Sequence, residues 1–123
     1  MILLTLDLRE RLLANGRQPD ADHVPVVKFF NPLGAGVWLA TELDADGDTL
    51  FGLADLGEPE LGSFSLAEMM AVRLTLGLGI ERDLLFEGMF PISVWADAAR
   101  QAGSLREAER VLYAAHRARP QDG

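Results

Sequence analysis

Apolar and polar positions alternate most legibly over residues 24–56, VPVVKFFNPLGAGVWLATELDADGDTLFGLADL. β-Branched and aromatic runs bounded by Gly, Pro, Asn and Asp are the signature of strands joined by hairpins. The pattern predicts three strands, over 24–30, 37–41 and 50–53, with turns at 31–36 and 44–48. Alternation across a strand places Val27, Phe29, Trp38, Ala40, Phe51 and Leu53 on one face. The other face carries Val26, Phe30, Val37 and Leu39, with Lys28 and Thr41 among them. Neither face is cleanly polar, so a sheet built this way needs cover on both sides.

Helical periodicity surrounds this meander. Thr5 is a fitting N-cap for a helix over 6–14, with Asn15 and Gly16 as its stop. Residues 57–62, GEPELG, read as a stiff connector that ends the strands. Ser65 and Glu68 spell a capping box, and the apolar spacing that follows predicts a helix ending before Gly77 and Gly79. The stretch 80–86 predicts a fourth strand at the sheet edge. Beyond Pro91 two helices follow, over 93–101 and from Ser104 to about 119, the second opened by another capping box. The fold class is therefore α+β, a small antiparallel sheet of three or four strands with a C-terminal helical hairpin. Residues 1–90 form the domain, and 91–123 form a helical extension packed on it.

At 123 residues with 49% hydrophobic and 24% charged positions, the chain suits one globular domain. It contains no apolar run long enough to span a membrane, and its start lacks the basic residues of a signal peptide. Cytoplasm is the default expectation. Cysteine is absent, which removes disulfides, thiolate metal sites and a cysteine nucleophile.

Charge changes the picture more. The net charge is −8, and no Lys or Arg occurs between Lys28 and Arg73. That gap holds Glu42, Asp44, Asp46, Asp48, Asp55, Glu58, Glu60 and Glu68, whereas the tail from Arg100 onward is rich in arginine. An acidic body disfavours nucleic acid, whose phosphates need clustered cations. A basic protein surface is the partner such a charge suits, unless the acids serve only solubility.

The candidate chemistry is sparse. Asp44, Asp46 and Asp48 have the spacing of a calcium loop, but Thr49 stands where the turn glycine belongs, Asp55 where the bidentate Glu belongs, and the flanks are strands. An acidic hairpin turn is the reading favoured over calcium. His23 and His116 lack a ligand-spaced partner. No phosphate loop, nucleophile elbow or zinc-hydrolase motif is present, so no catalytic residue and no cofactor is assigned. Lys28, the only lysine, sits among apolar neighbours and suits an ion pair with Glu42 or another carboxylate, or a partner contact. Lys28, Glu42, Glu58, Glu60, Arg82 and Asp83 form the expected partner-binding set. The alternative reading is a small enzyme or metal-dependent protein using Glu58, Glu60 and Asp83 with Arg82.

A set of short strings occurs in order: Lys28-Phe29-Phe30, Thr41-Glu42, Phe51-Gly52-Leu53, Glu58-Pro59-Glu60-Leu61-Gly62, Phe64-Ser65-Leu66 and Ile80-Glu81-Arg82-Asp83-Leu84. Over roughly 1–90 the chain resembles the bacterial domain-of-unknown-function family 2958. The resemblance implies a small bacterial protein of a plasmid or integrating element, at times near antirestriction-type domains, with no established activity. The expectation is an accessory protein that binds another protein, in an anti-defence or regulatory role. A further possibility is an assembly module that dimerises through the helical tail.

Overall fold

The computed structural model describes residues 2–119. Helix α1 (Leu6–Gly16) leads to the strands β1 (Val27–Phe30), β2 (Val37–Leu43), β3 (Thr49–Asp55) and β4 (Pro59–Ser65). Helix α2 (Leu66–Ala71), a 3-10 turn (Thr75–Gly77) and strand β5 (Glu81–Arg82) follow. Helices α3 (Ile92–Ala102) and α4 (Leu105–Arg117) close the chain. The five strands form one antiparallel sheet in the order β4-β3-β2-β1-β5. The fold is α+β, as the pattern predicts.

The sheet has one more strand than the alternation shows. The stretch predicted to be a connector is the start of β4, which pairs with β3 over its full length, from Asp55↔Pro59 to Thr49↔Ser65. Its period is obscured because Pro59, Glu60, Gly62, Ser63 and Ser65 are weak strand formers. The predicted strand over 80–86 contracts to the two residues of β5. Asp83 ends it by folding back, its Oδ1 accepting from the Leu85 amide at 2.9 Å. Helix α2 is also short, stopping at Ala71 because Val72 turns to an extended ψ of 130°.

Both faces are covered, by different helices. One core joins Leu3 and Leu12 to Val27, Phe29, Ala40, Leu43 and Leu50, with Leu66, Met69 and Ile80. The other sets Val37, Leu39 and Leu53 against Ile92, Trp95, Ala96, Ala99, Leu105, Ala108 and Leu112. The predicted faces are right for β1 and the first half of β2 but wrong for β3: Leu53 pairs with Leu39, and Phe51 pairs with Glu42. The register shift between Ala40 and Glu42 is the cause. With Thr41 as the extra residue of this bulge, Ala40 and Leu43, three apart, reach the same core.

Helix α1 holds the bulge from above. Asn15 Nδ2 donates to the Thr41 carbonyl at 2.9 Å. A Cβ on Gly16 would lie 2.3 Å from Leu43 O, so this glycine serves close approach. The helix stops at Gly16, as the sequence predicts, without a left-handed cap, since the C-cap residue, Arg17, is right-handed. On the opposite face, Asp22 receives the Ser93 amide at 3.1 Å and the Ser93 hydroxyl at 2.5 Å. Those bonds clamp the loop before β1 to the first turn of α3.

Candidate functional site

The meander divides the acidic stretch between the two ends of the sheet. Asp44, Asp46 and Asp48 lie at the β2–β3 turn, beside the start of α2 and Glu68. Glu58 and Glu60 lie at the β3–β4 turn, one seven-residue strand away, roughly 20 Å. Arg82 and Asp83 belong to β5 and its exit, at the opposite edge from β4. The set Glu58, Glu60, Asp83 and Arg82, required by the enzyme reading, is therefore not assembled. Among the described residues, no group of three or more His, Asp or Glu side chains is placed to hold a metal ion.

The aspartate turn is occupied by its own backbone. Asp46 accepts from the Asp48 amide, the Thr49 amide and the Thr49 hydroxyl. The hydroxyl bond is the main reason its carboxyl is held below the usual range. Asp48 accepts from the Ala67 amide at 2.7 Å and the Ser65 hydroxyl at 2.8 Å, supplementing the Ser65 cap of α2. Replacing Asp48 with Ala is expected to cost about 1 kcal/mol, a typical cap, read as a shift in urea midpoint. Calorimetric titration with calcium is expected to give no binding heat, and a saturable isotherm would contradict this assignment of Asp46 and Asp48.

Glu42 and Lys28 do not meet. Glu42 stands beside the bulge, where partial burial, countered by His23 and the Thr41 hydroxyl, raises its carboxyl pKa. A raised pKa means that the charged form is less favourable folded than unfolded. That cost is present above the ordinary carboxylate range and vanishes as pH falls through it. Glu42→Gln is therefore expected to stabilise the protein slightly at neutral pH and not in acid, measured by thermal melts at both.

Lys28, only 9% exposed, points from β1 to the α3–α4 side of the sheet. Its Nζ lies 2.6 Å from Glu109 Oε1 on α4 and 3.5 Å from Asp83 Oδ2. Of the six expected site residues, the structure thus joins Lys28 with Asp83 and adds Glu109, which sequence reading missed. No local signal marks Glu109, since it is 81 residues from Lys28 and lies in an ordinary amphipathic helix. Arg82 projects to the other face, donating to the carbonyls of Ile2 and Leu3 at 3.1 Å each.

The ion pair borders a groove of about 380 Å³ between α4 and the loop leaving β5. Leu85, Phe86, Met89 and Tyr113 form its apolar wall, with Arg106 and Arg110 beside Asp83 and Glu109. The loop is firmly held. Trp95, fully buried, donates its indole N–H to Gly88 O at 2.6 Å and packs against Phe86 with ring centroids 6.0 Å apart. Met89 carries the strain of this path, with φ at 66°. What the anchored loop leaves outside is Leu85 at 90% exposure, with Tyr113 at 45% across the groove, while Leu84, at 70%, borders a separate hollow beside Leu8 and Arg11 of α1.

The two histidines stay apart. The His23 Nε2 is 2.8 Å from Gln18 O, and His116 stands edge-on to Phe90 with centroids 5.9 Å apart.

The family model described as Protein of unknown function (DUF2958) matches residues 3–106. The chain belongs to this family. The match passes beyond Phe90 through α3 and into α4, so the family pattern includes the helix carrying Trp95 and the first residues after Ser104. No curated protein and no solved structure matches the chain. No helix among the described residues is long and apolar enough to cross a membrane.

Proposed function

We propose that this member of DUF2958 is a protein-binding accessory factor, and that Leu85 and Tyr113 form its contact. The observation that carries the reading is a fully exposed leucine, Leu85, at the rim of the groove on a loop fixed from beneath by Trp95 and Asp83. Exposed apolar side chains on a rigid support lose little entropy on docking, and Tyr, Met and Arg are enriched where proteins meet. The matching partner surface offers an apolar side chain for the groove and a carboxylate for Arg106, which here donates to Gly34 O. The setting on mobile elements, implied by the family resemblance, makes a component of host defence or its regulation the first class to screen.

A basic partner surface is the second reading. Glu58 and Glu60 are exposed and make no ion pair among the described residues. Affinity capture with immobilised protein separates the two. Leu85→Asp is expected to abolish specific capture, and Glu58→Gln/Glu60→Gln to leave it intact. The reverse pattern would move the contact to the acidic end.

A further inference from the structure

The two edges of the sheet differ in how open they are. β5 is two residues long, too short to template another strand. β4 presents seven residues in unbroken register with β3, free of bulges and of Lys or Arg. Its outward-facing groups follow from one hydrogen bond. The Leu66 amide donates to Asp48 O at 3.0 Å, which makes 66 and 48 a bonded pair in the β3–β4 register. Bonded pairs recur every second residue. The backbones of Phe64, Gly62 and Glu60 therefore turn inward to β3, and those of Leu61 and Ser63 turn outward. Pro59 also falls at an outward position, where its missing N–H costs the β3 ladder nothing.

We propose that β4 pairs antiparallel with β4 of a second copy across a two-fold axis at Gly62, joining the two sheets into one. Centring the axis on Gly62 is the register that sets all seven residues opposite a partner, with Pro59 offering only its C=O to Ser65 of the second copy. It sets Leu61 opposite Ser63 of the second copy and exchanges their outward N–H and C=O groups. Glu60 falls opposite Phe64 of the second copy, so no acid faces an acid. The two Gly62 residues meet as a non-bonded pair, the closer kind, with Cα atoms about 4.5 Å apart. A Cβ on Gly62 would meet nothing within 4 Å inside its own chain, so the sheet face over the axis has room for a side chain from each copy. The −8 charge of each chain opposes association, which makes the dimer tighter as salt screens it. The groove at Leu85 lies toward the other edge, so both surfaces can be used together.

The chain has no cysteine, so one introduced thiol reports cleanly. Two cysteines across a non-bonded antiparallel pair fall within disulfide range. Gly62→Cys is expected to form a covalent dimer under mild oxidant at least about tenfold faster than Leu33→Cys, an exposed control in the β1–β2 turn. By sedimentation, the wild type is expected at twice 13.4 kDa at high micromolar concentration, with a dissociation constant that falls as salt rises. Ser63→Pro removes an outward N–H, leaves the β3 ladder whole and is expected to be monomeric; Ser63→Lys serves the same end if the proline variant does not fold. A wild type that stays monomeric at every concentration would overturn the proposal. So would cross-linking of Gly62→Cys no faster than the control, or dimers that survive both Ser63 substitutions.

Discussion

Asp55→Ala is expected to destabilise the protein by about 3–5 kcal/mol, the loss of one buried and one part-buried bond to a buried carboxylate. Asp55 is 6% exposed and ends β3. Its Oδ1 receives the Gly57 amide at 2.9 Å, shaping the β3–β4 turn, and its Oδ2 receives the Leu105 amide at 2.8 Å, at the first turn of α4. One side chain thus fixes both the entry to β4 and the seat of α4, and the positive end of that helix favours its charge. Removal leaves two amides short of partners and loosens the helix that supplies Glu109 to Lys28. At about 4 °C per kcal/mol for a chain of this size, the melting temperature should fall by roughly 12–20 °C. Asp55→Asn keeps one acceptor and is expected to lose about half as much. Glu58→Ala, exposed three residues on, is expected to stay within about 0.5 kcal/mol of wild type. Equal melts for Asp55→Ala and Glu58→Ala would contradict this anchoring role.

Gly52→Ala is the second large loss, expected at about 3 kcal/mol. A Cβ there would stand 1.8 Å from Leu39 O and 3.0 Å from the Ala40 Cα, inside backbone that cannot move without opening the Thr41 bulge. The bulge is what lets Ala40 and Leu43 share one core, so its displacement disturbs α1 as well. Gly62, directly opposite Gly52 in the register, supplies the control. Its Cβ direction is empty, and Gly62→Ala is expected to be neutral for folding. Chemical denaturation of the two variants checks the contrast, and similar midpoints would contradict it.

These residues also show where sequence reading stops. The three hairpin strands, both capping boxes and the helical pair are local patterns, and Thr5, Ser65 and Ser104 each cap the helix they were expected to cap. The fourth long strand was hidden because Pro59, Glu60, Gly62 and two serines carry no strand periodicity; tertiary pairing with β3 overrides their weak propensity. The face of β3 is the reverse of the one its alternation predicts because a one-residue bulge in β2 shifts the register and leaves no mark in composition. Asp55 read as an imperfect calcium ligand, since its true partner, the Leu105 amide, is 50 residues away. For the site, Lys28 stood out as a lone cation among apolar neighbours, but its partner Glu109 could not be distinguished from other helical glutamates. The exposure of Leu84 and Leu85 was equally hidden, because a leucine pair after a strand looks like more strand until Asp83 turns the chain outward.

The most direct measurement of the proposed role is the affinity of the captured partner for wild type and for Leu85→Asp. Leu85 is 90% exposed, so the substitution is expected to leave folding unchanged while placing a charge where the partner packs. The dissociation constant is expected to rise at least about tenfold, the equivalent of 1.4 kcal/mol. Equal affinity in the two proteins, with both fully folded, would contradict a contact at this groove.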